Sequence, residues 1–382
     1  QMSWNDTTSG GSDILYQVEY YDGDSWELIS DTLIPGNSVG TTTSPINLTN
    51  VLPVATYNLI RPVATLTCNV GTCPILHDWT ITWSPGITIS GTADTYDETS
   101  DVTAGTVAVA LNGTLQIGKT GSISGGVWSI ANVNASPGDI VTVFINGVSD
   151  VNEAVAVARY DGVGDMSGMR LYEHHLTVGS NDATSTVFTN ADLGLYDYQN
   201  DEDIFFNATT TILDLCVEAG CADAELYVMA STTYRPTGTS ILDYFENNGT
   251  TTLDGNIVYV GRSWDNNATV TAGTSTVIFT ATSTSETINE TGALSPSFYN
   301  LTFGTTTGNA TWTPATNIDV NNTLTISRGV LARGTTTLTI GGSFTIETNG
   351  VLTGMGTTTF DGTGTSNFTD NSSSLQNIGR VV

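Results

Sequence analysis

Apolar residues along this chain fall in short alternating runs. Ile14, Tyr16, Val18 and Tyr20 alternate with polar neighbours, Asp22-Gly23 supplies a turn, and Trp26 and Leu28 resume the pattern. Trp79, Ile81 and Trp83 repeat it further on. A period of two puts successive apolar side chains on one face of a strand. Residues 1–84 are therefore expected to form a small β-sandwich, jelly-roll or Ig-like in pattern, and incomplete at its start because Gln1-Met-Ser-Trp4 reads as the tail of a strand. The alternation restarts at Ile87-Thr-Ile89. It continues through Val107, Val109 and Leu111, the hairpin signal Asn112-Gly113, Val127-Trp128-Ser-Ile130, the run Ile140 to Ile145 and Val155-Ala-Val157. This spacing predicts a second sandwich over 85–170.

From 171 onward the runs shorten. Leu171 to Val178, Ala191 to Asp197, Asp203 to Phe206 and Leu226-Tyr-Val228 lead into a stretch that repeats itself. Val258-Tyr-Val-Gly-Arg-Ser-Trp264 returns about 80 residues later as Leu338-Thr-Ile-Gly-Gly-Ser-Phe344. A finer period of about 20 sets Ile318-Asp-Val320, Leu324-Thr-Ile326 and Gly329-Val-Leu331 against Leu338-Thr-Ile340, Phe344-Thr-Ile346 and Gly350-Val-Leu352. Triplets broken by Gly and Asn at this spacing suit the rungs of a parallel β-solenoid over 171–382, about ten of them, in a rod about 50 Å long. Gln376-Asn-Ile-Gly-Arg-Val-Val382 aligns with the stretch around Tyr299 to Phe303, so the last repeat reads as cut part-way. The expected fold class is all-β: two small sandwiches followed by a solenoid of Thr/Gly/Asn-rich rungs, with no amphipathic helix.

Composition narrows the partners. The formal charge is −29, Lys and Arg together number 9, and Lys119 is the only lysine. Nucleic acid and anionic lipid are recognised through clustered cations, so such a chain is expected to bind neither. No apolar run is long enough to insert in a membrane as a helix. The four cysteines form two local pairs, and their spacing favours the disulfides Cys68–Cys73 and Cys216–Cys221 and an oxidising compartment. Zinc is the alternative, but His77 is the one further ligand nearby.

Motifs with catalytic meaning stand in the wrong context. Gly113-Thr-Leu-Gln-Ile-Gly-Lys-Thr120 spells a phosphate-binding loop, yet a strand pattern follows where a helix is required. Gly36-Asn-Ser-Val-Gly40 spells a nucleophile elbow in a loop with no helix behind it. Three histidines, His77, His174 and His175, leave little for a triad; the adjacent pair, if on a strand, faces opposite ways, one packed and one solvated. Acidic clusters occur at Asp94/Asp97/Glu98/Asp101, at Asp161/Asp165 and, most densely, around Asp197. Asp197, Asp201 and Asp203 are the candidate ligands for a structural calcium ion, the only cofactor expected. Thirteen Asn-x-Ser/Thr sequons, Asn47, Asn134, Asn300 and Asn367 among them, are acceptors only in a glycosylating host.

The opening Ile-Ser-Gly91, the strand Gly126-Val-Trp-Ser-Ile130 and Ser136-Pro-Gly-Asp-Ile-Val-Thr-Val143 resemble carboxypeptidase-regulatory-like surface-protein modules. That resemblance implies a transthyretin-like Greek-key sandwich serving as a spacer. Sandwich, spacer and Thr/Asn/Gly-rich repeats in that order resemble the large tandem-repeat surface and fibre proteins of bacteria. The implied function is a non-catalytic structural or adhesive segment of an extracellular fibre or cell-surface protein, with itself as main partner, head to tail or along a longer chain. Two alternatives differ in class. Exposed Tyr20, Tyr21 and Trp26 would serve a carbohydrate-binding module with glycans as partners, and a carboxylate pair on one solenoid face would serve a polysaccharide-degrading enzyme.

Overall fold

The computed structural model describes residues 1–382 apart from 49–56, 58, 82–85, 148–152, 182–186, 216, 218–222, 283–284, 293–297 and 305–306. Trp83 and the pair Cys216/Cys221 lie outside the described residues. The chain is almost entirely β, and it divides into two compact units, Gln1–Gly86 and Ile87–Val382.

In the first unit Asp13–Tyr21 pairs antiparallel with both Trp26–Leu28 and Ile60–Thr67. A second sheet joins Met2–Thr7 to Ile75–Ile81. The alternation places Ile14, Tyr16 and Val18 in a core with Met2, Ile29, Ile34 and Ile46. Buried Asn37 ties the loop to that core, accepting from the Val18 N–H at 2.7 Å and donating to the carbonyls of Val18 and Ile29. Trp79 and Ile81 alternate as expected but are exposed, the inward position being taken by Leu76. Cys68 and Cys73 are bonded, with S–S 2.08 Å.

The second unit begins as a two-layer sandwich. Its outer sheet sets Ile87–Asp94 between Val127–Val133 and Met166–Tyr172. Its inner sheet runs Thr114–Ser124, Ala104–Leu111, Ile140–Asn146, Val155–Arg159. Asn112-Gly113 makes the expected hairpin turn with φ of 46° and 82°, and a side chain at Gly113 would strike the Leu195 carbonyl.

The boundary expected at 170/171 does not separate two compact bodies. Val155–Arg159 pairs in parallel with His175–Val178, which pairs in parallel with Glu225–Val228, so the inner sheet is continuous with the solenoid. That sheet is buried on both faces. Val107, Val109, Val141, Val143, Ala156 and Ala158 face the sandwich core, whereas Ala108, Ala110, Ile140, Phe144, Val155 and Val157 belong to the solenoid core. A run apolar on both parities, as Ile140 to Ile145 is around Thr142, is what such a strand requires.

Residues 189–206, expected as rungs, instead fill the space beneath this sheet, after Val187–Phe188 has paired in parallel with Thr233–Tyr234. Thr189 and Asp192 form a capping box that starts the four-residue helix Asn190–Leu193. Gly194 follows it where a Cβ would meet the Ala208 carbonyl. Phe188, Leu193, Tyr196, Phe205 and Phe206 pack here, Tyr196 stacking on Phe144 at 5.7 Å between ring centroids.

Beyond this plug runs a parallel solenoid of about ten turns. Each rung visits three faces. The first face stacks Leu226, Phe245, Trp264 and Ile288, and the second stacks Val258, Val277, Leu301, Leu324 and Phe344. The third carries Tyr234, Thr251 and Val270 in early rungs and Ile318, Leu338 and Thr358 in late ones. The period of about 20 is real register: Ile318 pairs with Leu338, Leu324 with Phe344 and Leu331 with Leu352. The longer repeat is shifted by one face, since Val258 stands on the second and Leu338 on the third. Rung length explains the shift, because hydrogen-bonded ladder partners are 19, 22, 24 or 26 residues apart.

Asparagine and aromatic ladders run along the rungs. The buried Asn247 amide donates to Asn266 Oδ1 at 2.8 Å, and Asn266 donates to Glu290 at 2.9 Å. The other Glu290 oxygen accepts from the Trp264 indole at 2.5 Å. Asn300 donates to the Ser275 carbonyl and accepts from Asn322 and Thr323. Phe279 and Phe303 stack with planes 8° apart and centroids 5.2 Å apart.

Candidate functional site

The densest chemistry lies on the outer side of the first solenoid face, where the outer sandwich sheet ends. Inward-pointing residues of this face alternate with outward ones, so His175, Glu225 and Tyr244 line up on adjacent strands, and Thr177, Tyr227 and Glu246 beside them. A sandwich loop, residues 95–101, folds over these two ladders. Asp97 holds the loop closed, accepting from the Thr95 hydroxyl at 2.6 Å and the Thr99 N–H at 3.1 Å, bonds that pull its pKa well down. Glu98, at φ 58°, then reaches His175.

His175 is 1% exposed. Its Nδ1 lies 2.7 Å from the Glu173 carbonyl, and its Nε2 lies 3.2 Å from Glu225 and 3.7 Å from Glu98. Burial alone would depress the imidazole pKa, but the bonds and charges of Glu225 and Glu98 overcome it and hold the pKa at about 9. With a carbonyl at one nitrogen and carboxylates at the other, the ring is a doubly protonated cation. Tyr96 and Tyr172 pack against it at 5.2 and 5.5 Å between centroids. Tyr172 also meets Tyr227 edge-on at 5.3 Å.

Arg262 extends the cluster, with Nη2 3.0 Å from Asp223, Nε 3.6 Å from Asp243 and Nη1 donating to the Tyr244 hydroxyl at 3.3 Å. Desolvation raises the Glu246 carboxyl to about 7, the Asn248 amide that donates to it pulling the other way. The patch thus combines tyrosine rings, a buried cation and a carboxyl that titrates near neutrality. It staples the sandwich loop to the first rungs.

Of the residues singled out from sequence, Asp97, Glu98 and His175 fall in this patch, with Asp94 and Asp101 pairing at the base of its loop; the remaining candidates lie elsewhere. Asp197 is buried, its oxygens accepting from the Gln199 and Ala208 N–H groups. Asp201 accepts from the Asp203 N–H and the Tyr196 hydroxyl, and Asp203 accepts from the Gly147 N–H. One loop carries all three, each carboxylate clamping backbone or a ring; among the described residues no three His, Cys, Asp or Glu side chains form a metal-holding group. Lys119 stands within the strand Thr114–Ser124, and the Ser38 hydroxyl donates to Asp31 at 2.6 Å in an exposed turn. His174 occupies a turn before the strand, at φ 61°, so the two histidines are not strand neighbours. Tyr20 packs on Tyr57, Tyr21 on Trp26, and the Arg61 guanidinium covers the Trp26 ring at 4.4 Å.

Sequence reasoning singled out the Asp97/Glu98 cluster and His175 separately and missed the patch they form, because its parts come from five separated stretches. The available signal was Tyr and Glu recurring at rung spacing: Glu225 and Tyr227, then Tyr244 and Glu246. Among the described residues no helix is long and apolar enough to cross a membrane. Comparison with protein-family models, characterised proteins and solved structures yields no match to this chain. Fold and site together define its second unit as a sandwich-headed parallel β-solenoid.

Proposed function

We propose that this chain is a structural segment of an extracellular fibre or cell-surface repeat protein, a rod that carries load and displays surface and does no chemistry. One observation carries the reading. A single apolar core runs from the inner sandwich sheet through the plug and along the rungs, with strands in continuous parallel register. Pull along the rod axis is then resisted by every rung interface together with its asparagine and aromatic ladders. An acidic surface keeps such rods apart laterally and soluble. Self-association along the axis is the partner that this geometry favours. Glu98 and Glu225 are committed to His175 and Asp223 and Asp243 to Arg262, while Glu246 accepts from the Asn248 amide, which supports the structural reading over a polysaccharide-degrading one.

Immunogold labelling of source cells with antibodies against residues 87–382 tests the proposal. Label on filaments or the outer surface is expected. Label confined to the cell interior would overturn it.

A further inference from the structure

Arg333 is the anomaly of the late rungs. It is 1% exposed, and its side chain is among the largest fully buried ones. Nη1 donates to the Thr358 hydroxyl at 2.8 Å and the Thr357 carbonyl at 3.3 Å. Nε and Nη2 are buried and, among the described residues, have no hydrogen-bond partner. These two nitrogens share one edge of the guanidinium, the edge that grips an anion with two parallel N–H bonds. The ion pairs of Arg61, Arg159, Arg235 and Arg262 all use carboxylates, whereas Arg333 has none among the described residues. Its pKa is pushed down by burial, with no acidic group acting on it.

A guanidinium keeps its proton at any ordinary pH, so the charge cannot be shed on burial. Uncompensated, it is strongly destabilising. Water would satisfy the donors but leave the charge. A chain with 38 acidic residues that places one of its few cations against none of them leaves that cation for an external anion. The space is small. A side chain on Gly379 would come 2.6 Å from Nη2, and Thr358, whose hydroxyl donates to the Ile378 carbonyl, is fully buried.

We propose that the Nε/Nη2 edge of Arg333 is a buried site for a small monovalent anion, chloride in its simplest form, that locks the last rungs together. The proposal is independent of the fibre reading. Binding to the folded state alone raises Tm with anion concentration.

Full-length protein is melted in chloride or bromide against gluconate at constant ionic strength, alongside Arg333→Met, and crystals are soaked in bromide. Wild type is expected to gain about 2 °C per tenfold rise in halide above its Kd. The variant should show no gain, and an anomalous bromide peak should lie within hydrogen-bonding distance of Nε and Nη2. A wild-type Tm indifferent to halide, a halide response retained in the variant, or a crystal with no bromide at that edge would each overturn the proposal. If Arg333→Met does not fold, the wild-type melts and the bromide map decide alone.

Discussion

Holding His175 as a cation between two carboxylates makes the joint between sandwich and rungs sensitive to pH. Its folded pKa of about 9 lies above the ordinary 6.5, so the stabilisation is complete below pH 6.5 and lost as pH rises through 9. The gain is on the order of 3 kcal/mol. Glu246, raised from 4.5 to about 7, acts in the same direction: the unfolded chain loses that proton first, so stability falls between those values. Urea denaturation should therefore show stability declining from pH 5 to pH 9.5. His175→Gln should remove the part of the slope above pH 7, and a flat wild-type profile from pH 7 to 9 would contradict the assignment. The asparagine ladder gives a second test at this scale. Asn266→Ala removes an acceptor of the Asn247 amide and a donor to Glu290 and should cost about 2 kcal/mol in chemical denaturation. Glycan attachment at Asn300 would break its ladder bonds, whereas Asn47, Asn134 and Asn367 are exposed; in a glycosylating host, peptide mass spectrometry should find Asn300 unmodified.

At the scale of the element, legibility followed locality. Period-two alternation and the 20-residue spacing are local patterns, and the strands of Ile318–Ala332 and Phe344–Thr353 pair in the register that they imply. The 80-residue similarity was misleading about faces because rungs of unequal length rotate one copy relative to the other. Residues 189–206 carry apolar runs that resemble rungs, but the Thr189–Asp192 box and the Asp197 and Asp201 clamps turn the backbone before a strand can extend. That the inner sheet is buried on both faces was written in Ile140 to Ile145, where both parities are apolar. Ala110 tests this arrangement. Ala110→Asp would put a carboxylate in the shared core, at more than about 3 kcal/mol. Hydrogen exchange should then quicken in Glu225–Val228 as well as in Ile140–Asn146. Exchange confined to the sandwich would contradict the shared core.

Two compact units predict two thermal transitions for the whole molecule. Replacing Cys68 and Cys73, whose disulfide closes a short loop, by Ser should lower the transition of the first unit by an amount equivalent to about 2 kcal/mol and leave that of residues 87–382 unmoved. Calorimetry of the double variant beside the wild type checks both statements. Site chemistry was less legible than fold because it arises only when rungs stack: no local motif joins Glu98, His175, Glu225 and Arg262, which meet through register.

The rod itself is tested most directly by electron microscopy of native material, with power spectra taken along any filaments. Strands that lie across the axis and stack one rung on the next predict filaments containing this chain, with a meridional reflection near about 4.8 Å. Native material in which this chain occurs only as dispersed monomers, or filaments lacking that reflection, would contradict the account.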